Sequence, residues 1–429
     1  MGPQPARGAG LTGPPARAAV EHAHRTQWAR VLAGVASSLG GDLDLAEEAT
    51  AEAFTVALEH WPETGVPPNP GGWLLTTARR RAIDRLRRAA IHRRKVAQLE
   101  AMLDTTSDAI DSPIPDERLE LIFCCCHPAF AVQAQVALTL RCVAGLDVAE
   151  IASGFLVSEQ TMAKRLVRAK RKVRDARVPL RVPDRDELAH RLPAVLAAVY
   201  LIFNEGYAAS ADRQLVRPDL CARAIGLGRM LVELLPNEPE VLGLLALMLL
   251  HESRRGARTA PDGSLVLLAE QNRALWDHAL ARRAGRLLNA AWRRPGCGRY
   301  VIEAAIAAVH ASAVSYADTD WPHILRLYDL LYQVSPSPVI ALNRAAAIGL
   351  GDGPAAGLAA LAGLAAELGD YQYFHSSRAD LLRQLGRTDE ARAAYQRALE
   401  LTGNATERAF LAERLATLGA DWHGVGTSP

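Results

Sequence analysis

The sequence predicts an all-α protein, and three observations carry this prediction. Alanine, leucine and arginine, which favour helices, are abundant, whereas only 5% of the 429 residues are aromatic. Leucine and alanine recur at helical spacing over most of the chain. The longest apolar runs, 194–203 and 241–250, are about half as long as a membrane-spanning helix, so we expect them to be buried helices.

Composition also divides the chain into segments. Residues 104–117 are acidic and contain two prolines, which is typical of a linker, and Pro179 and Pro183 mark a hinge. The first residues contain no apolar signal core, so we expect a cytoplasmic protein with a disordered lead. The predicted segments are the disordered lead at 1–19, a first helical domain at 20–97, an acidic linker at 98–117, a second helical domain at 118–178, and a helical extension at 179–429 with TPR-like repeats at 336–402.

The repeats are predicted from small and aromatic residues near the end of the chain. Gly386, Ala391 and Ala398 occupy positions at which a TPR repeat packs two helices closely, and Tyr395 would fill the groove between repeats. A poorer copy has Gly357 where this one has Ala391. Because stacked TPR repeats bind peptides or proteins, we expect a regulatory protein as a partner of this region.

The strongest functional motif is a predicted helix-turn-helix at 145–174. Asp147 can cap a first helix, Gly154 marks a turn, and Ser158 can cap a second helix. Three apolar residues of the second helix are expected to point inward: Met162, Leu166 and Val167. The other face is polar and basic, with Gln160, Thr161, Lys164, Arg165, Arg168, Lys170, Arg171 and Lys172. This pattern favours a DNA-reading motif over a solvated helical hairpin.

Two further helices are predicted upstream, one basic and one acidic. Residues 73–88 form a basic amphipathic pattern, which can bind nucleic acid, a membrane or a calmodulin-like partner. The DNA-reading motif farther along the chain favours nucleic acid. The acidic pattern at 44–54 would by default be a solvated face. Its position just before the basic helix makes it a candidate for docking another protein.

Together these three stretches resemble the bacterial RNA polymerase sigma factors of the extracytoplasmic-function (ECF) type. DLAEEATAEAF at 44–54 is similar to region 2.2, residues 73–88 are similar to regions 2.3 and 2.4, and residues 145–174 are similar to region 4.2. The pattern covers residues 20–178. The rest of the chain resembles a subgroup with a long TPR-like C-terminal extension, including the segments LIFCCCHPAF, YLIFNEGYAAS and ALNRAAA.

The resemblance implies a non-enzymatic protein whose partners are promoter DNA and core RNA polymerase, through the β′ clamp and the β flap, with no cofactor and no membrane. The implied polymerase contacts are Asp44, Glu47, Glu48, Glu52 and Phe54. The implied −10 contacts are Trp61, Trp73, Arg79, Arg80, Arg81, Asp84, Arg87 and Arg88. The implied −35 contacts are Ser158, Glu159, Gln160, Thr161, Lys164, Arg165, Arg168, Lys170, Arg171 and Lys172.

Two positions depart from the family pattern. Ala51 stands where a glutamine is usual, and Arg80 stands where an asparagine is usual. Two other classes of protein stay open. One is a helix-turn-helix regulator that works without polymerase and carries a TPR sensor. The other has a ligand-binding or enzymatic module in the C-terminal half, but that half contains no P-loop, G-x-G-x-x-G or G-x-S-x-G motif.

Two segments could be taken for a metal site or a ligand contact, but a structural role is the more common explanation for each. Cys124, Cys125, Cys126 and His127 are consecutive, and consecutive helical residues point about 100° apart, so they cannot converge on one metal ion. The six cysteines contain no C-x-x-C pair, which favours reduced thiols. The turn at 204–207 follows an apolar helix and is either a ligand contact or, more commonly, a helix end.

The formal net charge of +2 conceals a strong segregation of charge. Residues 79–95 and 164–181 each contain nine lysines and arginines and a single acid. The compensating acids concentrate in 42–63 and 104–120. We expect this distribution from a protein with basic helices for DNA, an acidic helix for polymerase and an acidic linker. The near-zero net charge is expected to limit DNA binding by the chain alone.

Overall fold

The computed structural model describes residues 14–89, 117–155, 157–176, 178–207, 218–261 and 264–418. Most of these residues are helical, and within them the only β pairing is an isolated bridge between Thr259 and Leu265. The predicted all-α class is therefore confirmed. The chain separates into two compact units, here called the N-terminal unit (Met1–Val199) and the C-terminal unit (Tyr200–Pro429).

The N-terminal unit combines three long helices with shorter ones. Its described helices are α1 (Pro14–Ser38), α2 (Leu43–Thr64), α3 (Pro70–Ala89), α4 (Arg118–Cys125), α5 (Val132–Leu138, extended by a π-helical turn at Thr139–Val143), α6 (Val148–Gly154), α7 (Glu159–Asp175) and α8 (Arg185–Tyr207), the last of which crosses the division between the units. The predicted linker lies almost entirely outside the described residues. Helix α1 begins inside the predicted disordered lead, at a proline that suits a first helical turn.

Helices α1, α2 and α3 pack against one another around a core that includes Leu32, Ala46 and Leu74. The C-terminal end of α2 follows from local chemistry. Helix α2 runs through Pro62 and ends at Gly65, whose φ of 84° leaves the helical region. Pro62 predicts a loop from this residue onward, but the helix continues for two more residues, because a proline this close to the C-terminus disrupts little of the helix.

The C-terminal unit is a succession of helices that mostly pack against their neighbours in sequence. They are α9 (Pro218–Leu234), α10 (Pro239–Ser253), α11 (His278–Trp292), α12 (Arg299–Ser312), α13 (Trp321–Val334), α14 (Pro338–Gly351), α15 (Pro354–Leu361), α16 (Ala365–Leu368), α17 (Gln372–Gln384), α18 (Thr388–Leu401) and α19 (Ala405–Thr417). Helix α10 is apolar and buried on nearly all sides, and it packs against α11 and α12. No helix in the described ranges is both long enough and apolar enough to cross a bilayer.

Small residues let pairs of these helices approach closely. Helices α17 and α18 form a hairpin that turns at Gly386, where φ is 71°, and Ala391 and Tyr395 of α18 are buried. In the earlier copy, a Cβ atom added to Gly357 would lie 2.6 Å from the Cα atom of Gly349, so only glycine fits between α14 and α15. These hairpins have the close packing that the repeat pattern requires, and the TPR assignment itself stays a prediction.

Candidate nucleic-acid and polymerase interface

Two caps organise the segment predicted to be a helix-turn-helix. At the start of α6, Asp147 and Glu150 form a reciprocal capping box, in which each backbone N–H donates to the other residue's carboxylate at 2.8 and 2.7 Å. At the start of α7, the backbone N–H of Thr161 donates to Oγ of Ser158 at 3.2 Å. The two predicted caps thus fix where each helix begins.

The inward face of α7 differs from the sequence prediction at one residue. Met162, Leu166, Ala169 and Val173 are buried, and they follow the i, i+4, i+7, i+11 spacing of one helical stripe. Val167 is 58% exposed, so its predicted inward position is wrong. A residue next to Leu166 in sequence points about 100° away from it and therefore falls outside the stripe.

The outward face of α7 is exposed at nearly every predicted DNA contact. Exposed residues are Ser158, Glu159, Gln160, Thr161, Lys164, Arg165, Arg168, Arg171 and Lys172. Lys172 also donates to the carbonyl of Ala129 at 2.5 Å. Lys170 is the exception, because only 10% of its side chain is exposed. The helix therefore has an exposed basic surface, and two of its basic residues, Lys170 and Lys172, make contacts inside the protein.

Lys170 is held by the acidic helix α2. Its Nζ atom lies 2.7 Å from Oε2 of Glu47 and 3.2 Å from Oδ1 of Asp44. Arg141 approaches the other oxygen of Glu47, with Nη2 at 2.6 Å, and its Nη1 atom donates to the carbonyl of Leu146 at 2.7 Å. We call Asp44, Glu47, Arg141 and Lys170 the interhelix ion cluster. It joins α2, predicted to dock polymerase, to the segment predicted to read DNA.

The electrostatics of the ion cluster favour its charged form. Burial by itself raises the pKa of Glu47, but the charges of Lys170 and Arg141 and their hydrogen bonds outweigh it and bring that pKa below its ordinary value. Burial lowers the pKa of Lys170, and Glu47 more than compensates, so this pKa is raised. Both partners therefore remain ionised at neutral pH.

The other predicted polymerase contacts also have partners within the N-terminal unit. Glu48 and Glu52 both pair with Arg85 of α3. The buried ring of Phe54 lies 5.1 Å from the ring of His24 and 5.9 Å from that of Trp28. The acidic face of α2 is thus covered at Glu47 and more open at Glu48, whose side chain is 57% exposed.

The predicted −10 residues divide between buried and exposed positions. Arg79 is only 8% exposed, and its Nη2 atom donates to the carbonyl of Gly34 at 3.5 Å. Burial lowers the pKa of Arg79, whereas Glu117 raises it; the pKa of Glu117 is raised to about 7, chiefly by burial. Arg80 and Arg87 are exposed, Arg81 and Asp84 are half-buried, and the side chain of Arg88 lies outside the described residues.

The two tryptophans among the implied −10 contacts, Trp61 and Trp73, contact each other. The rings of Trp61 and Trp73 meet edge to face with centroids 5.6 Å apart. Trp61 is 1% exposed, while Trp73 is half-buried. Trp73 is therefore the more accessible of the two rings, and Trp61 belongs to the core.

The cysteine-rich segment of α4 is part of the core. Cys124, Cys125 and Cys126 are buried, and burial raises the pKa of Cys126 to about 11 and that of Cys124 to about 12, so both thiols are protonated at neutral pH. Within the described residues, no group of three or more histidine, cysteine, aspartate or glutamate side chains is placed to hold a metal ion.

Three segments of the chain match models of known families. Residues 25–91 match Sigma-70 region 2, residues 71–177 match ECF sigma factor, and residues 191–292 match a family of unknown function, DUF6596. A protein of Rhizobium meliloti (strain 1021), described as uncharacterized, is 43% identical over 386 residues, covering 89% of this chain and 91% of the relative. No solved structure matches. The chain belongs to the ECF sigma factors, and its role is in transcription initiation.

Sequence reasoning missed Arg141 and the structural use of Lys170. Arg141 lies in an apolar helix and has no motif around it, and Lys170 looks like one more member of a basic run. The only signal in the sequence was a lone basic residue in a segment otherwise suited to burial, which predicts an acidic partner without saying which one.

We expect Glu47→Gln to lower the free energy of unfolding of the N-terminal unit by about 1–3 kcal/mol, because it leaves two partly buried cations without their shared carboxylate. Urea unfolding of the full chain, followed by tryptophan fluorescence, measures this change. Glu48→Gln is the matched control, since its exposed pair with Arg85 is worth about 0.5 kcal/mol or less.

The effect should also depend on pH in a defined direction. Because the folded pKa of Glu47 is lowered, its stabilisation is complete above the ordinary value of 4.5 and is lost as pH falls through the lowered value. The difference between wild type and Glu47→Gln should therefore be largest at neutral pH and shrink in acid. A difference that stays constant from neutral pH to pH 3 would contradict the pairing.

Proposed function

We propose that this sigma factor binds the clamp of the polymerase β′ subunit through the acidic face of α2, binds −10 promoter DNA through α3 and the 61–73 segment, and reads the −35 element with α7 near the β flap. The observation that carries the proposal is the exposed polar and basic face of α7, which stands opposite a packed apolar stripe and follows a capped turn. That is the arrangement a recognition helix needs in the major groove.

Position along α7 suggests how base and phosphate contacts divide. Ser158, Gln160, Thr161, Lys164 and Arg165 lie in the first two turns, which enter the groove most deeply in helix-turn-helix proteins. Arg168, Arg171 and Lys172 lie farther along, where long cations reach phosphates. Specificity would therefore come from the first group, and most of the salt-dependent affinity from the second.

Binding of the −10 element would use the exposed part of α3. Unstacking a base costs a few kcal/mol, and an aromatic ring can replace the lost stacking. Trp73 has the accessible ring, and Arg80 and Arg87 are exposed cations on the same helix. In this conformation Arg79 supports the fold through Gly34, so a direct DNA contact from Arg79 would require α3 to move relative to α1.

We expect Lys164→Ala combined with Arg165→Ala to abolish promoter-specific run-off transcription by core polymerase, because the recognition helix loses two exposed cations at the predicted base contacts. Binding to core polymerase should be retained. The matched control is Arg282→Ala with Arg283→Ala, which removes two adjacent exposed arginines from α11.

Two outcomes would contradict this assignment. An equal loss of core binding would mean that the pair supports polymerase docking or folding instead. Promoter binding that is strong without polymerase and unaffected by adding it would favour the alternative, a helix-turn-helix regulator that works alone.

We further propose that the ion cluster competes with polymerase for α2. The carboxylates assigned to docking, Asp44 and Glu47, are the ones that Lys170 and Arg141 occupy. A charge that is already paired and largely buried cannot also meet a cation of the polymerase. Docking would therefore require the DNA-reading segment to separate from α2, and the free energy of that separation would weaken the apparent affinity for polymerase.

Lys170→Gln should accordingly tighten binding to core polymerase by about threefold or more, since it weakens the closed arrangement without altering α2. Fluorescence anisotropy of labelled protein titrated with core polymerase measures the affinity. Arg171→Gln is the control, because Arg171 lies at the surface and, among the residues that the structure describes, pairs with Asp175 of its own helix. Weaker or unchanged binding of Lys170→Gln would contradict the competition.

The C-terminal unit is proposed to regulate or support this activity, with a regulatory protein as its partner. Truncation tests this, and the structure determines where to cut. Arg191 of α8 donates to the carbonyl of Phe123 at 2.5 Å, so α8 contributes to the N-terminal unit and must be kept. A chain ending after Val199 preserves that unit.

Promoter-dependent transcription by residues 1–199, compared with the full chain, should change in one direction or the other. A rise would mean that the C-terminal unit inhibits, and a loss, with folding verified by circular dichroism, would mean that it is required. Equal activity of the two proteins would defeat both versions of the proposal.

A further inference from the structure

A cavity of about 430 Å³ lies inside the C-terminal unit, between α10, α12, α13 and α14. This volume is within the range of sites that hold small molecules, about 300–1,000 Å³. Part of the wall is apolar or aromatic, including Leu247, Ile306, Trp276 and Tyr328. The family models that match the chain assign no ligand to this region, and the proposed transcriptional function does not use it.

One end of the cavity contains cationic and imidazole groups from two helices. Arg254 and His251, at the end of α10, approach each other to 3.5 Å between Nη2 and Nδ1. His310 of α12 also lines the cavity, and its Nδ1 atom is buried and has no hydrogen-bond partner in the part of the chain that the structure describes. An unpaired buried ring nitrogen is costly, so a group that bonds to Nδ1 of His310 would be stabilised here.

Two further arginines, Arg258 and Arg273, lie close enough to Arg254 for its charge to act on them, although neither lines the cavity. Among the described residues, no carboxylate lies within ion-pair distance of Arg254, Arg258 or Arg273. Arg258 lies over the ring of Tyr207 at 3.7 Å, and Arg273 lies over that of Trp276 at 4.7 Å. Asp318 acts on Arg273 only from beyond that distance.

The opposite part of the lining is already neutralised. Arg299 pairs with Glu303 at 2.7 Å, so these two residues do not call for a charged ligand. The contrast matters because it localises the unbalanced charge at Arg254. Burial, followed by the nearby arginines, lowers the pKa of His310 to about 4, so this ring is neutral at neutral pH and can donate a hydrogen bond without adding charge.

We propose that the cavity binds a small organic anion, with a carboxylate or phosphate at Arg254 and His310 and an apolar or aromatic body against Trp276 and Tyr328. The anion would offset the charge of the arginines and accept a hydrogen bond from the ring of His310. Water would satisfy the ring nitrogen but would leave the charge unbalanced. Carboxylate and phosphate share this chemistry, and the experiment below separates them.

Two residues of the segment at 204–207, Asn204 and Tyr207, lie at or near this site. Asn204 lines the cavity, and Tyr207 provides the ring beneath Arg258 as well as a ring 5.8 Å from Arg254. Helix α8 also ends at Tyr207. The position of this segment is therefore consistent with both sequence interpretations, a ligand contact and a helix end.

Binding of benzoate, phenyl phosphate and benzamide to the purified full chain tests the proposal. Ligand-observed saturation-transfer NMR and calorimetric titration both report binding directly. Benzoate or phenyl phosphate should bind saturably with a dissociation constant in the millimolar range. A constant of about 1 mM corresponds to a binding free energy of about −4 kcal/mol. Benzamide has the shape of benzoate without its charge, so it should bind at least about tenfold more weakly.

Two variants and one control locate the binding. Arg254→Gln should weaken the anion about tenfold or more, and Ala307→Trp should eliminate binding by filling the cavity. Arg283→Gln removes an exposed arginine outside the cavity lining and should leave the affinity within about twofold. Circular dichroism checks each variant, and the comparison of benzoate with benzamide needs no variant.

The proposal is overturned if neither anion binds saturably, if benzamide binds as well as benzoate, or if folded Arg254→Gln and Ala307→Trp both retain wild-type affinity. Preference for benzoate over phenyl phosphate would identify a carboxylate ligand, and the reverse preference a phosphate ligand. Because the readout involves neither polymerase nor promoter, failure here is distinguishable from failure of the proposed transcriptional function.

Discussion

The arrangement of the N-terminal unit depends on one carboxylate, Glu47, which meets Lys170 and Arg141 through its two oxygens. Each of these cations comes from a segment more than ninety positions later in the chain, so the contact joins α2 to α7 and to the end of α5. Ion pairs at the surface contribute little, but one that is largely removed from water cannot lose a partner without cost. The pairing therefore acts as a constraint on where α7, the helix proposed to read DNA, lies.

That constraint creates a conflict between two uses of the same charges. Helix α2, which is proposed to bind polymerase, is already paired at Asp44 and Glu47 with the protein's own basic residues. The carboxylates of α2 are attracted to a cation of the polymerase as they are to Lys170 or Arg141. The cost of removing each pair from water therefore helps to determine which pair forms. Glu48 is more exposed than Glu47, so it is available for a first encounter while Glu47 remains occupied. A stepwise exchange of partners along α2 is consistent with this gradient of exposure.

The C-terminal unit handles buried charge in a different way. Its cationic cluster is stacked on aromatic rings and bonded to backbone carbonyls, as when Arg273 donates to the carbonyls of His310 and Ala313, both at 2.6 Å. These contacts satisfy the hydrogen bonds of a guanidinium group without cancelling its charge. Burial, followed by the charges of nearby arginines, lowers the pKa of His251 and of His310, so both rings are neutral at neutral pH.

The sequence by itself determined the all-α class, the two caps of the helix-turn-helix and the free basic face of α7, because helix propensity, capping and one-sided charge act over a few neighbouring residues. It also carried the family resemblance. Only the tertiary structure decided that Lys170 is withdrawn from that face, that Arg79 is buried against Gly34, and that His310, Arg254 and Asn204 border one cavity. Those outcomes depend on which distant side chains come within a few ångströms of each other. The local pattern of a basic or apolar run is the same whichever partner it meets.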